Sequence, residues 1–196
     1  MTEVDPPRIV GVAGSLRDES YTRIALEQAL AAAGDAGAKT ELLDLREFDL
    51  PVFDPDEPES AEERRLTETI KTADALILAT PMYHGSYSSA IKNAIDYCGF
   101  EEFEHKTVGL LAVAGGSFPI SALDHLRLVC RALDAWVLPF QAAVPNSRSN
   151  FSEGTIVDEA LRDRVETLGV RVVRFARIQE IEPPTFESQE NVGATH

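Results

Sequence analysis

Apolar runs alternate with helix-spaced apolar positions along most of the chain. Segments of strand length, most of them apolar, occur near residues 8–13, 39–44, 74–79, 107–113 and 136–139. Between and after these runs, apolar residues recur at the three- and four-residue spacing of helices, near residues 20–34, 60–72, 87–98, 119–134 and 155–180. Five successive strand–helix units predict an α/β fold, in which a doubly wound, five-stranded parallel sheet carries helices on both faces.

A single domain accounts for this alternation. The chain has 196 residues, which is enough to bury a sizeable core, and we predict one domain over residues 1–182. The stretch from residue 48 to 63, FDLPVFDPDEPESAEE, is rich in proline and acidic residues and is typical of an exposed loop. Residues 183–196 are polar without periodicity, so we expect a disordered carboxyl-terminal tail.

The residues that follow the first predicted strand carry the most informative polar motif. Residues 9–23 read IVGVAGSLRDESYTR, an apolar run that breaks into small and hydroxylated residues around Arg17. A helix amino terminus presents unpaired N–H groups and a partial positive charge, and Ser15, Ser20 and Arg17 add further donors. The motif indicates a phosphate site, although it is neither a P-loop nor a GxGxxG fingerprint. An ordinary capped loop with a surface arginine is the other interpretation.

Two further strand ends are followed by loops of similar design. TPMYHGSYSSAIKNAIDY, residues 80–97, follows the third apolar run, and AGGSF, residues 114–118, follows the fourth. The carboxyl ends of parallel strands share one edge of the sheet, and ligands bind there at the point where the strand order reverses. We therefore expect the three loops to enclose one flat, phosphorylated ligand.

The motifs GSLRDES, PMYHGSYSSAIKNAIDY and AGG, in this order and spacing, resemble the NADPH-dependent FMN reductase family of flavodoxin-like proteins. The resemblance runs from about residue 8 to about residue 138. It implies the flavodoxin-like strand order 2-1-3-4-5, which places FMN at the switch point between the first and third strands. It also implies FMN as cofactor and NADPH, or NADH, as electron donor. The final acceptor is not implied, because the family includes flavin, quinone, azo and chromate reductases.

The resemblance also assigns the cofactor-binding residues. The FMN phosphate site falls on Ser15, Arg17, Ser20 and Thr22, and Thr22 stands where many relatives have asparagine. The ribityl chain and the isoalloxazine ring fall on residues of the second and third loops, namely Pro81, Met82, Tyr83, His84, Gly85, Ser86, Gly115, Gly116 and Ser117.

The resemblance assigns no catalytic side chain, because a flavin carries the chemistry of hydride transfer while the protein supplies orientation and electrostatics. His84 occupies a position that is commonly asparagine in the family. One interpretation of His84 is a loop residue without a chemical role. The other is a proton donor beside the flavin, since an imidazole titrates in the working pH range.

Three function classes fit these motifs. The first, which we favour, is an NAD(P)H-dependent, FMN-containing reductase that acts on a small acceptor such as a quinone, free flavin or an azo compound. The second is a flavodoxin-like electron carrier, and the third is a flavin-binding sensor without turnover. Arg17 argues against the carrier, because a flavodoxin typically presents a hydroxyl-rich phosphate loop of the T/S-x-T-G-x-T type.

Composition restricts the setting and the partners. The net charge of −15 argues against nucleic acid as a partner, because binding a polyanion needs a basic surface. No run approaches the roughly 20 apolar residues of a membrane span, and the start MTEVDPPR lacks the form of a signal peptide, so we expect a cytoplasmic protein. Cys98 and Cys130 lack a metal-ligand spacing, which predicts reduced core thiols and no metal site.

Assembly into a homodimer or homotetramer is implied by the resemblance, because such relatives typically share the flavin site across an interface. The stretch SSAIKNAIDYCGF, residues 88–100, places Ile91, Ile95 and Cys98 at helical spacing. Tyr97 and Phe100 could extend this apolar surface to a partner. The equal alternative is that these side chains cover the sheet of their own chain.

The acidity of the chain predicts that its stability depends on salt. It has 33 acidic residues against 18 basic ones, and salt screens the resulting self-repulsion. We therefore hypothesise a halophilic source, and we expect the free energy of unfolding, measured with urea, to increase from low to molar KCl. Equal free energies in the two buffers would contradict the hypothesis and indicate an ordinary acidic protein.

Overall fold

The computed structural model describes residues 5–176. Strands and helices alternate along this part of the chain. In chain order they are β1 (Arg8–Ala13), α1 (Tyr21–Asp35), β2 (Lys39–Asp44), α2 (Ala61–Lys71), β3 (Ala75–Pro81), α3 (Ser89–Asp96), α4 (Phe100–Phe103), β4 (Thr107–Val113), α5 (Ile120–Ala132), β5 (Trp136–Val137), β6 (Ala142–Val144), α6 (Ser147–Asn150), β7 (Phe151–Ser152), β8 (Thr155–Ile156) and α7 (Glu159–Ala176).

A parallel sheet in the order β2-β1-β3-β4-β5 forms the centre of the molecule, which confirms the predicted strand order. Every residue of β3 and β4 is buried, as expected for central strands covered on both faces. Helices α1 and α7 contribute to the apolar core on one face, and α2, α3, α4 and α5 contribute to the core on the other. The prediction of helices on both faces is therefore also confirmed.

The fifth strand differs from its prediction. The sequence indicated one strand over residues 136–139, but β5 ends at Val137, and β6 continues the pairing along the second half of β4. Pro139 separates the two pieces, because proline has no N–H group to donate to a neighbouring strand. This split matters for the site, because β6 ends at the same edge of the sheet as β4.

The last helix also begins later than predicted. Residues 155 and 156 belong to β8, which pairs with β7 in a short antiparallel hairpin. Glu153 and Gly154, between the two strands, both have positive φ, the backbone conformation of a two-residue type I′ hairpin loop. Helix α7 starts only at Glu159. Its predicted end at residue 180, the domain end at residue 182 and the tail 183–196 lie outside the described residues.

Both cysteines are free thiols in apolar surroundings. Burial raises the pKa of Cys98 and of Cys130 to about 12, which keeps each thiol protonated at neutral pH. Within residues 5–176, no group of three or more His, Cys, Asp and Glu side chains is placed to hold a metal ion. No helix in the same range is long and apolar enough to cross a membrane.

A glycine permits the close contact between α1 and α7. Gly169 faces the backbone of α1, where a Cβ atom would lie 2.0 Å from the carbonyl oxygen of Ala29. Ala29, Ala33, Leu168 and Val172 are fully buried in the core around this contact. The two helices therefore depend on the absence of a side chain at position 169.

We expect Gly169→Ala to lower the free energy of unfolding by about 1 to 3 kcal/mol, because the added methyl group forces the two helices apart. Gly34→Ala is the matched control, since a Cβ at Gly34 in α1 would meet only Thr40 Oγ1, at 3.9 Å. The control should be neutral or stabilising by up to about 1 kcal/mol, because alanine favours the helix. Urea unfolding followed by circular dichroism measures both, and equal midpoints for the two variants would contradict this account.

Candidate functional site

The three predicted loops meet in one cleft of about 430 Å³ at the carboxyl edge of the sheet. A fourth segment, which follows β6, closes the same cleft. The lining residues are Ser15, Arg17, Glu19, Tyr21, Thr22, Pro81, Met82, Tyr83, Val113, Gly115, Gly116, Ser147 and Arg148. The structure therefore brings together eight of the thirteen residues that the sequence assigned to the cofactor.

The first loop is attached to the second at its base. The N–H of Gly14 donates to the carbonyl of Ala79 at 2.8 Å, and the hydroxyl of Ser88 donates to the carbonyl of Gly14 at 2.5 Å. A Cβ atom at Gly14 would lie 2.8 Å from Cβ of Ile91 in α3. Only glycine fits at position 14. Its two hydrogen bonds therefore fix the direction in which the first loop leaves β1.

The hydroxyl residues of the first loop have different roles. Ser15 is buried, lines the cleft and accepts a hydrogen bond from the N–H of Arg17 at 3.5 Å. Ser20 does not line the cleft, because its hydroxyl caps α1 and accepts from the N–H of Arg23 at 3.1 Å. Thr22 lies in the first turn of α1 and lines the cleft. The sequence had treated Ser20 as a phosphate donor, and that assignment stays a prediction.

The charges of the first loop leave Arg17 available. Its side chain is exposed and makes no hydrogen bond or ion pair with any described residue. The neighbouring Asp18 is paired with Arg46, whose Nη2 lies 2.7 Å from Asp18 Oδ1. Arg17 therefore lines the cleft with a guanidinium that pairs with no side chain of residues 5–176.

The second loop turns sharply after Tyr83. Tyr83 and Ser86 exchange two backbone hydrogen bonds of 3.0 Å, while His84 and Gly85 both adopt positive φ. This is the type I′ geometry, which asparagine and histidine enter more readily than most residues. The histidine at position 84 thus keeps the backbone conformation that the asparagine common in the family would also adopt.

Part of the second loop points away from the cleft. His84, Gly85 and Ser86 are absent from its lining, and Ser86 Oγ lies within hydrogen-bonding distance of His125 Nδ1 in α5, at 3.0 Å. Pro81, Met82 and Tyr83 do line the cleft, and the N–H of Met82 donates to the carbonyl of Val113 at 2.8 Å. The residues at the end of β3 therefore line the cleft, and the assignment of the turn residues to the cofactor stays a prediction.

The glycines of the third loop leave open space above their backbone. A Cβ atom at Gly115 or at Gly116 would meet no atom outside the neighbouring residues within 4 Å. Packing within the described chain therefore does not require glycine at these positions, whereas a ligand lying against the backbone would. Ser117 is outside the lining, and its hydroxyl donates to Asn146 Oδ1 at 3.4 Å.

The sequence analysis missed five lining residues, Glu19, Tyr21, Val113, Ser147 and Arg148. Glu19 and Tyr21 lie within the first motif, and Val113 directly precedes the third, so the motifs themselves pointed to these positions. Ser147 and Arg148 follow β6, a three-residue strand that the apolar pattern did not separate from β5. No local pattern marked them, because their place depends on the pairing of β6 with β4.

Curated relatives match part of this chain. An FMN-dependent NADPH-azoreductase of Staphylococcus haemolyticus is 36% identical over 111 residues, which cover 55% of this chain and 59% of the relative. The protein of the same name from Staphylococcus aureus strain USA300 is 44% identical over 82 residues, 42% of this chain and 44% of the relative. The chain thus spans about half the length of these curated relatives.

Solved structures share the fold over most of their length. An oxidoreductase from Corynebacterium diphtheriae has a TM-score of 0.73 at 19% identity, with 89% of this chain and 99% of the other covered. FerB, a flavoenzyme NAD(P)H:(acceptor) oxidoreductase from Paracoccus denitrificans, has 0.73 at 21%, with coverages of 88% and 98%. The apo form of the NADH:FMN oxidoreductase EMOB has 0.71 at 22%, with coverages of 91% and 92%.

The model of one protein family extends over most of the described residues. It is the model of the NADPH-dependent FMN reductases, and it matches residues 7–149. This range runs from β1 to α6 and contains all four segments that line the cleft. The chain belongs to the NADPH-dependent FMN reductase family.

Proposed function

We propose that this protein is an FMN-dependent NAD(P)H oxidoreductase that reduces a small acceptor through bound FMN. The observation that carries the proposal is the cleft itself. It combines an unpaired arginine beside a helix amino terminus with two glycines whose backbone faces open space. One part suits a phosphate and the other a flat ring, and both belong to one cavity of about 430 Å³.

The phosphate end of the cleft is supplied by the first loop and α1. The first turn of a helix has N–H groups without partners inside the helix, and these favour an anion. Thr22 stands in this turn, and Ser15 and Arg17 precede it. Arg17 and the hydroxyls of Ser15 and Thr22 would hold the 5′-phosphate of FMN.

The ring end of the cleft lies between the second and third loops. Met82 and Tyr83 line one side, and Gly115 and Gly116 line the other. The hydrogen bond from the N–H of Met82 to the carbonyl of Val113 holds the two loops at a fixed distance. A planar isoalloxazine ring could therefore lie against the backbone of residues 115–116 without displacing a side chain.

The chemistry of such a site belongs to the cofactor. Bound FMN would accept a hydride from the nicotinamide and pass electrons to the acceptor. The lining residues would orient the ring, anchor the phosphate and exclude water from one face of the ring. His84 is exposed on the turn outside the lining, and its proton-donor interpretation stays a prediction.

The acceptor is proposed from the relatives and from the openness of the cleft. The curated relatives are named azoreductases, and the named structures include an NADH:FMN oxidoreductase. Tyr83 is 48% exposed at the rim of the cleft, and Phe118, on the third loop, is 81% exposed. Exposed aromatic rings of this kind suit a flat aromatic acceptor such as an azo compound, a quinone or free flavin.

We further propose a cytoplasmic homodimer or homotetramer from a halophilic source. Ile91 and Ile95 are buried and cover the sheet of their own chain, and Tyr97 donates to the carbonyl of Pro51 at 2.9 Å. The support for assembly therefore comes from the exposed Phe100, with 54% of its surface accessible, and from Leu16, with 62%. Sedimentation of a clean monomer in molar KCl would contradict the assembly.

The visible absorption spectrum provides the test of the proposed function. Protein purified in molar KCl, incubated with FMN and desalted should show flavin bands that bleach promptly when NADPH is added without oxygen. Bands that persist after NADPH addition would contradict the reductase and favour the electron carrier or the sensor. Absence of retained flavin, combined with a lack of NADPH oxidation when free FMN is supplied, would contradict the FMN site.

Arg17→Ala should weaken FMN binding by about 10- to 100-fold, because a charge-assisted hydrogen bond contributes about 1.5 to 3 kcal/mol. Quenching of flavin fluorescence measures the dissociation constant. Arg131→Ala is the matched control, since Arg131 is exposed in the last turn of α5, at the opposite edge of the sheet. Equal dissociation constants for Arg17→Ala and the parent would remove Arg17 from the phosphate site.

A further inference from the structure

Arg148 stands on a segment that is fixed at both of its ends. Before it, the N–H of Asn146 donates to the carbonyl of Gly116 at 3.0 Å, and the N–H of Ser147 donates to the carbonyl of Ala114 at 2.9 Å. After it, the ring of Phe151 stacks on Tyr21 with 4.7 Å between the centroids. Arg148 is consequently held between the glycine loop and the first turn of α1.

The guanidinium of Arg148 has no partner among the described residues. It makes no hydrogen bond, ion pair or ring contact there, although the side chain is exposed and lines the cleft. The next two arginines along the chain are engaged, since Arg162 donates to the carbonyl of Ile156 and Arg164 to that of Gln141. A free guanidinium on a fixed backbone is suited to bind an anion with two parallel N–H groups.

The formal charges in the lining of the cleft favour a role for a second cation. Glu19 and Arg17 line the same cavity without an ion pair between them, so the formal charges that the first loop contributes to the lining sum to zero. A phosphate monoester carries nearly two negative charges at pH 7, and the chain as a whole has a net charge of −15. Arg17 and Arg148 are the two basic side chains in the lining, and Glu19 is the acidic one. Arg148 therefore makes the formal charge of the lining positive.

We propose that Arg148 is a second binding residue for the 5′-phosphate of FMN and reaches it from the segment after β6, whereas Arg17 reaches it from the first loop. The inference rests on the proposed function, in which the cleft holds FMN. Its position favours the phosphate over the ring, because the Phe151–Tyr21 stack holds the segment against the first residue of α1. A phosphate between two arginines and a helix amino terminus would be retained despite the acidity of the protein.

The experiment compares FMN with riboflavin, which has the same ring and ribityl chain but no phosphate. Dissociation constants are measured by fluorescence quenching for the parent protein, Arg148→Gln, Arg148→Lys and the distant control Arg131→Gln. We expect Arg148→Gln to bind FMN about 10- to 100-fold more weakly than the parent and riboflavin with unchanged affinity. Arg148→Lys should recover part of the loss, and Arg131→Gln should match the parent.

Each other result overturns the inference. Equal losses for FMN and riboflavin would place Arg148 against the ring, and unchanged FMN affinity with a raised KM for NADPH but not for NADH would place it at the nucleotide. Equal FMN dissociation constants for the parent protein and Arg148→Gln would refute this inference and leave the proposed function standing. A parent that binds no FMN would refute the proposed function and this inference with it. Unfolding midpoints of all four proteins verify that the substitutions leave the fold intact.

Discussion

The junction of the first loop with the end of β3 is the contact on which the site depends. Gly14 donates to Ala79 and accepts from Ser88, and it has no room for a side chain beside Ile91. These bonds direct the first loop and the start of α3 toward one edge of the sheet. The first and second loops keep their distance from each other across the cleft because both are tied at this point.

Charge imposes the second constraint on the proposed function, because a strongly acidic protein would have to hold an anionic cofactor. The first loop meets this constraint locally, because one of its carboxylates is paired with an arginine from another loop, whereas its own arginine is not paired with any described residue. Asp18 pairs with Arg46, whereas Arg17 and Arg148 have no ion pair in the described range. The same surface acidity that would repel a phosphate at long range is screened by salt, whereas contacts inside the cleft are screened much less.

Much of the fold could be predicted from local patterns. The bounds of β1 and β4 agree with their apolar runs, because buried parallel strands are apolar at nearly every position. The predicted bounds of the edge strand β2 also agree, although half of its residues are exposed. The predictions were wrong where pairing across the chain decides the structure. Pro139 split the fifth strand, and the β7–β8 hairpin shortened the last helix, since Thr155 pairs with Ser152 and bonds to Gln28 of α1.

By itself, the sequence determined the alternation of strands and helices, the three loops and the family resemblance, because motifs and apolar periods are properties of neighbouring residues. The strand order followed from that resemblance. The tertiary structure alone decided which side chains of those loops face the cleft. It turned Ser20 to cap α1 and directed Ser86 toward His125, and it brought Arg148 to a loop more than 100 residues earlier in the chain. Such placements follow from hydrogen bonds and strand pairing between distant segments, which leave no local pattern in the sequence.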